Sequence, residues 1–148
     1  MDHVYRREQS AGYLTNWTAR LFQRALERRL KGGGGPGSMP VFFALLQEPS
    51  LTQAALAKWA AVEQPTMANT LNRLERDGLI ARTPDPADGR SALVTLTKLG
   101  KQRAGEAMDV ARTVNALGLS ALTPSERLTY LELVQRIAAT LEADATAG

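Results

Sequence analysis

The chain has 148 residues, 44% of them hydrophobic, with no stretch long enough to span a membrane and no apolar signal core at its start, so we expect one cytoplasmic domain. It has no cysteine and one histidine, His3, which excludes disulfides, thiolate nucleophiles and cysteine metal sites and predicts neither a metal nor a cofactor. The net charge of +3 is unevenly spread: eight Lys or Arg against five Asp or Glu lie in residues 50–103, but three against six in residues 104–148, so a polyanion would be drawn to the first two thirds.

The N-terminal part of the chain predicts one long helix. Leu14, Trp17 and Leu21 belong to a set of apolar residues that recur at helical spacing from residue 11 to residue 31. The glycine-rich run over residues 32–37 ends this helix and predicts a loose link with hinge motion.

Two short helices are predicted next. Ser38 can cap a helix that runs to about Gln47, and Thr52 can cap another that runs to about Ala60. Trp59, near the end of the second helix, is expected in the core.

A tight turn over residues 61–64 leads into a further helix, which has Pro65 in its first turn, where a missing N–H is tolerated. Met67, Leu71 and Leu74 stand on one side of this helix and predict its core-facing side. Two helices joined by a tight turn can place the second one, the recognition helix, in the major groove of DNA. The polar residues left to face outward are Asn69, Asn72, Arg73 and Arg76.

A hairpin with a charged tip is predicted after the recognition helix. Asp77 and Gly78 stop the helix, and two strands, over residues 79–83 and 92–97, flank a loop of residues 84–90. A basic residue at the tip of such a wing can reach the minor groove, whose negative potential attracts arginine.

Two more long helices complete the prediction. Thr97 can cap one that runs to about Leu117, and Thr123 with Pro124 opens the last. Together with the N-terminal helix they carry three apolar stripes, more than one small winged domain can bury. We therefore expect a homodimer.

Three motifs in a fixed order carry a family resemblance: LERDGLIAR at residues 74–82, DGR at residues 88–90 and VTLTKLG at residues 94–100. With the flanking helices, the chain resembles the MarR family of bacterial transcriptional regulators over about its whole length. The resemblance implies a mainly α (α+β) fold, a winged helix-turn-helix whose N- and C-terminal helices form an intertwined dimerisation region. It implies three parts: 1–37, dimerisation helix and glycine loop; 38–98, winged helix-turn-helix DNA-binding domain; 99–148, C-terminal dimerisation helices.

The resemblance also implies which residues meet DNA. Arg90 would enter the minor groove, and Asp88 would help to hold the wing. Arginine can donate two hydrogen bonds to guanine and asparagine can pair with adenine, which suits Arg73 and Asn69. Ala68 stands where many relatives carry a polar residue, so specificity can lean on DNA shape. The residues along the major-groove side would be Gln64, Pro65, Thr66, Ala68, Asn69 and Arg73.

The function that follows is a sequence-specific regulator of transcription that binds double-stranded DNA at a pseudo-palindromic operator as a homodimer. The resemblance implies a repressor that a small aromatic or phenolic effector releases. The effector would bind in a crevice between the dimerisation helices and the winged domain. The candidate residues for this crevice are Tyr13, Trp17, Phe42 and Phe43.

Two other functions compete with this one. An enzyme is not expected, because the chain has no cysteine, no nucleophile elbow and no carboxylate cluster with metal-ligand spacing. The alternative is a dimeric winged-helix module that binds proteins without binding DNA, which the modest net charge favours. Salt dependence separates this module from a DNA-binding regulator, since phosphate contacts weaken steeply as salt rises.

Overall fold

The computed structural model describes residues 5–31, 35 and 37–148, so His3 and most of the glycine run lie outside the described residues. The chain divides into two compact units, Met1–Arg112 and Thr113–Gly148. None of the helices in the described ranges combines the length and the apolar character that a bilayer span requires. The three-part functional division expected from the sequence stays a prediction.

The described chain contains six α-helices, three strands and one short 3-10 helix over Arg7–Gln9. They alternate as the sequence predicts for a winged helix-turn-helix, with one additional strand ahead of the third helix. In chain order they are α1 (Ala11–Glu27), α2 (Ser38–Gln47), β1 (Leu51–Thr52), α3 (Gln53–Ala60), α4 (Gln64–Arg76), β2 (Ile80–Asp85), β3 (Asp88–Leu96), α5 (Lys98–Gly118) and α6 (Pro124–Thr146).

Helix α1 is shorter than predicted, because it ends at Glu27 and not at residue 31. The chain leaves the helix in a turn in which the N–H of Leu30 still donates to the carbonyl of Leu26. This turn brings Leu30 against the core of the first unit. The apolar periodicity therefore continued past the end of the helix for a packing reason.

Threonine caps fix where three helices begin, as predicted. The Thr52 hydroxyl accepts from the N–H of Ala55 at the start of α3, and the Thr97 hydroxyl accepts from the N–H of Gly100 at the start of α5. Thr123 caps α6 in a capping box with Glu126. Ser38 was wrongly predicted as a cap: it is the first residue of α2, and its hydroxyl donates to the carbonyl of Gly35 at 2.8 Å.

The sheet is antiparallel in the order β1-β3-β2. The two wing strands are longer than predicted and leave only Pro86 and Ala87 between them, where a seven-residue loop was expected. Pro84 is tolerated inside β2 because that strand lies at the sheet edge, where a missing N–H breaks no ladder. Strand β1 was not predicted; its two residues are too few to show alternation.

The core of the first unit lies between the helix pair α3–α4, helix α2, the sheet and the first half of α5. Trp59 was wrongly placed in this core: it is 39% exposed and packs its ring against Phe43, with ring centroids 6.1 Å apart. The buried residues are Val41, Phe42, Ala44, Leu45, Leu51, Leu56, Ala57, Met67, Leu71, Leu74, Leu79, Ile80, Val94, Leu96, Ala104 and Ala107.

Candidate nucleic-acid interface

Helix α4 has two unlike sides, and the buried one fixes which residues can meet a partner. Met67, Leu71 and Leu74 are almost wholly buried, and Thr70 is 7% exposed beside them. Residues near the opposite side of a helix follow at a period of 3.6, so they face away from this core. The exposed residues on that side are Pro65, Asn69, Asn72 and Arg76.

The turn between α3 and α4 holds the first turn of the recognition helix in place. Ala61 adopts a left-handed conformation with φ 51°, which ends α3 and reverses the chain within a few residues. The side-chain amide of Gln53 lies 3.5 Å from both the carbonyl and the side-chain oxygen of Gln64. The starts of the two helices are therefore held near each other.

The residues implied for the major groove do not all share one environment. Gln64, Pro65, Thr66 and Asn69 are exposed, whereas Ala68 is half-buried. Their exposure leaves the four available to a partner.

Arg73 is also half-buried and lies on the flank of α4, close to Gly35. A Cβ atom at Gly35 would lie 3.2 Å from Nε of Arg73. The guanidinium group is thus in contact with Gly35 and not at the centre of the exposed row.

Asn72 is tied to the wing by a hydrogen bond that joins helix to strand. Nη2 of Arg82 donates to Oδ1 of Asn72 at 3.1 Å, and Nε of Arg82 lies 4.0 Å from Oε2 of Glu75. This Nε atom is buried and, within the described part of the chain, makes no hydrogen bond. The network orients Asn72 on the exposed side of α4.

Asn72 belongs to the outward row predicted from the sequence but not to the predicted DNA contacts, and its orientation by Arg82 is seen only in the structure. Helical periodicity alone places Asn72 on the exposed side of α4, so it could have been predicted as a DNA contact from the sequence. The link from residue 72 to residue 82 depends on how the wing folds back on α4, which no local pattern shows.

The tip of the wing is stabilised by two aspartates that fold back on their own backbone. Oδ1 of Asp85 accepts from the N–H of Ala87 at 2.9 Å, and Oδ1 of Asp88 accepts from the N–H of Arg90 at 3.0 Å. Arg90 follows this turn on β3 and is exposed. The geometry agrees with a holding role for Asp88 and leaves the Arg90 guanidinium available to a partner.

A polar cleft of 420 Å³ lies between the wing and the start of the helix pair. Arg82 and Arg90 contribute to its wall, and so does Gln64 of α4. The first turn of α3 borders it as well, and the N–H groups of a helix start favour an anion. None of the described residues that line this cleft is Asp or Glu. It is therefore suited to a phosphate group.

The four aromatic residues expected in an effector crevice lie in three different surroundings. Tyr13 and Trp17 line one small cavity together with Arg7. Phe42 is 1% exposed in the core, whereas Phe43 is half exposed and contacts Trp59. Phe42 was wrong as a crevice residue, because its side chain is enclosed by the core of the first unit.

The sequence is similar to those of known transcriptional regulators. Residues 39–92 match the MarR family. The HTH-type transcriptional repressor NicR of Pseudomonas putida is 31% identical over 105 residues, which cover 71% of this chain and 65% of NicR. The transcriptional regulator HosA of Escherichia coli is 32% identical over 97 residues, which cover 66% of this chain and 72% of HosA.

Solved structures share the fold over most of the chain. The PcaV transcriptional regulator of Streptomyces coelicolor, in complex with its natural ligand, superposes with a TM-score of 0.83 at 24% identity, covering 92% of this chain and 96% of PcaV. A mutant MarR of Escherichia coli complexed with operator DNA gives a TM-score of 0.76 at 22% identity, covering 85% of this chain and 91% of that chain. The chain belongs to the MarR family and is a transcriptional regulator with a winged helix-turn-helix, not an enzyme.

Proposed function

We propose that this regulator is a homodimeric repressor that binds double-stranded DNA with the exposed side of α4 and with its wing. The observation that carries the proposal is the shared cleft: Gln64 of the recognition helix lines the same wall as Arg82 and Arg90 of the wing. A surface that joins a polar helix to two arginines, with no carboxylate among the described residues of the cleft, suits DNA better than a protein partner. The protein-interaction alternative has no such observation in its favour.

The proposed contacts follow from the exposure of each side chain. Arg90 enters the minor groove, held by the turn at Asp88. Arg82 contacts a backbone phosphate from within the cleft, and Asn72, oriented by Arg82, joins the reading side of α4. The other proposed contacts of α4 are Gln64, Pro65, Thr66, Ala68, Asn69 and Arg73.

The proposed dimer rests on apolar side chains that a single chain leaves in water. Helix α6 exposes large apolar residues along its length, with Leu128 at 72% and Leu141 at 62%. Such a surface is typical of an interface between subunits. A two-fold dimer would read a pseudo-palindromic operator, with half-site centres about one helical turn, or a multiple of it, apart. The other exposed apolar residues of α6 that this proposed interface would cover include Leu131, Val134 and Ile137.

The proposed effector is a small aromatic or phenolic molecule. Tyr13 and Trp17 offer ring surfaces in a cavity of 130 Å³, and Arg7 borders it. The Arg7 guanidinium lies 3.2 Å from Oε1 of Glu8, which also lines the cavity, and it can donate a further hydrogen bond to a phenolic oxygen of the effector. The effector would release DNA by binding the DNA-competent arrangement less tightly than the other.

The test is a selection of DNA fragments from a random duplex pool by the purified protein. The proposal predicts an enriched motif with two related half-sites in inverted order, because a two-fold dimer imposes its symmetry on the site. A single asymmetric half-site would contradict the dimer. Recovery of no enriched sequence at low salt would contradict DNA reading and favour the interaction module.

A further inference from the structure

The guanidinium group of Arg73 occupies the space next to the Cα atom of Gly35. A Cβ atom at Gly35 would lie 3.2 Å from Nε of Arg73, 3.4 Å from Cζ and 3.7 Å from Nη2. These distances are ordinary van der Waals contacts or shorter, so a side chain at position 35 would displace the guanidinium. Gly35 also has a φ of 70°, a left-handed conformation that favours glycine. Gly35 therefore limits where the Arg73 side chain can lie.

Ser38 holds the carbonyl of Gly35 in place. Its hydroxyl donates to this carbonyl at 2.8 Å, and its backbone N–H donates to the same oxygen at 3.4 Å. Ser38 is 1% exposed at the start of α2, so water does not compete for its hydroxyl. Gly35 is thus attached to α2 and at the same time contacts Arg73 of α4.

A second contact of the same kind lies about one turn earlier on α4. A Cβ atom at Gly37 would lie 3.3 Å from the hydroxyl oxygen of Thr70, and Gly37 has a φ of 80°. Thr70 and Arg73 are neighbours on one flank of the helix, because residues three apart stand one above the other. This flank is therefore packed against Gly35 and Gly37, which restricts the rotamers of Arg73.

We infer that Gly35 is a positioning residue that determines operator specificity through Arg73. The inference rests on the proposed contact of Arg73 with DNA. Arginine reads guanine by two parallel hydrogen bonds, whose strength depends on the direction of the guanidinium plane. Gly35 lies outside the helix-turn-helix, yet it sets this direction from beside α4. The base whose recognition depends on Gly35 is the guanine read by Arg73 in each half-site.

The test is a double-variant cycle in the full chain, with affinity for the duplex selected by the wild type measured by fluorescence anisotropy. Arg73→Ala is expected to weaken binding at least about tenfold and Gly35→Ala about fivefold, because the guanine contact is lost in the first variant and misaligned in the second. In the Arg73→Ala background, Gly35→Ala should cause no further loss, since it acts through Arg73. Equal losses in both backgrounds, or wild-type affinity of Arg73→Ala, would overturn the inference.

Selections from the random duplex pool add a readout that a merely structural role would not change. Gly35→Ala and Arg73→Ala should lose the preference for the same guanine in each half-site and keep the rest of the motif. Ser38→Ala removes the hydroxyl that holds Gly35 without altering a left-handed residue, so it should weaken the same preference and serves if Gly35→Ala does not fold. A folded Gly35→Ala or Ser38→Ala protein that keeps the full guanine preference would overturn the inference.

Gly78→Ala is the matched control for backbone strain. Gly78 has a φ of 74°, but apart from its chain neighbours no described atom lies within 4 Å of an added Cβ. Its effect on affinity should therefore be equal in the wild-type and Arg73→Ala backgrounds, with the guanine preference kept. Loss of that guanine in Gly78→Ala as well would attribute the effect to strain and overturn the inference. A wild type that enriches no sequence would contradict DNA reading and the inference together, so the two failures are distinguishable.

Discussion

Arg90 owes its position to local backbone chemistry. The Asp88 carboxylate accepts from the N–H of Arg90 at 3.0 Å, which fixes the backbone just before the side chain leaves the wing. Within the described residues the Arg90 side chain forms no ion pair, and it borders the cleft that Gln64 also lines. The turn is held by the Asp88 carboxylate and the backbone and does not need the positive charge of Arg90. We therefore expect this charge to contact a partner and not to stabilise the fold.

Arg90→Ala is expected to weaken DNA binding by roughly 1 to 3 kcal/mol without unfolding the protein, because one groove contact is lost and no buried group is uncovered. Fluorescence anisotropy with the selected DNA measures the affinity, and thermal unfolding monitors the fold. Arg112→Ala is the matched control, since this exposed arginine pairs with Asp109 on α5. Wild-type affinity in Arg90→Ala would show that the wing does not contact the groove.

Single residues also show where sequence reasoning ends. The buried side of α4 could be predicted, because periodicity places Met67, Leu71 and Leu74 on one face. The contact of Arg73 with the loop at Gly35 could not, since it joins parts of the chain nearly forty positions apart. The predicted burial of Trp59 was wrong for a related reason. Residue type predicts burial only on average, and here the ring lies at the surface against Phe43.

At the scale of elements, the start of α5 depends on close contact with the turn that follows α4. The Thr97 hydroxyl accepts from the N–H of Gly100 and donates to the carbonyl of Gly78 at 2.6 Å. A Cβ atom at Gly100 would overlap the backbone oxygen of Leu79. Only glycine allows the helix to approach this close.

Gly100→Ala is expected to destabilise the fold by about 3 kcal/mol, because backbone and not a flexible side chain occupies the space. Urea unfolding measures the change. Gly105→Ala lies in the same helix with no atom within 4 Å of the added Cβ, and it should stabilise by about 0.5 to 1 kcal/mol. Equal stability of the two variants would contradict the close approach.

The start of α6 is expected to weaken in acid. The backbone N–H of Thr123 donates to Glu126, and this hydrogen bond lowers the pKa of the carboxyl. A lowered pKa in the folded state means that the stabilisation is present above the unfolded pKa of about 4.3 and is lost as pH falls through the folded value. Glu126→Gln should therefore show a smaller loss of Tm between pH 6 and pH 3 than the wild type.

Glu132→Gln provides the comparison for this effect. It removes an exposed carboxylate of the same helix outside the capping box, so its Tm should follow the wild type through the acid range. If Glu126→Gln and Glu132→Gln lose Tm alike, the capping box does not couple to pH.

Elements with a local chemical signal could be predicted and the others could not. The threonine caps and the proline in the first turn of α4 are such signals, and the helix starts agree with them. The length of the wing strands depends on pairing across the hairpin, where Pro84 faces Ala92. Strand β1 exists only because β3 pairs with it, so its signal lies elsewhere in the chain.

At the scale of the whole molecule, two features point to different partners. The apolar side chains exposed on α6 suit a second copy of the chain, and the arginine-lined cleft suits a polyanion. A dimer would place two clefts on one DNA duplex, so that four arginines, Arg82 and Arg90 from each chain, act together. The modest net charge of +3 then understates the attraction, because the relevant charge is local.

The salt dependence of DNA affinity tests this account most directly. If each of the four arginines displaces one counterion, Arg82 at a backbone phosphate and Arg90 in the minor groove, the slope of log K against log salt is about −3.6, and affinity falls about a hundredfold between 50 and 200 mM salt. Anisotropy titrations of the selected duplex over that range give the slope. A steep fall is the result the account predicts; an affinity that hardly changes with salt, or no binding at low salt, would contradict it.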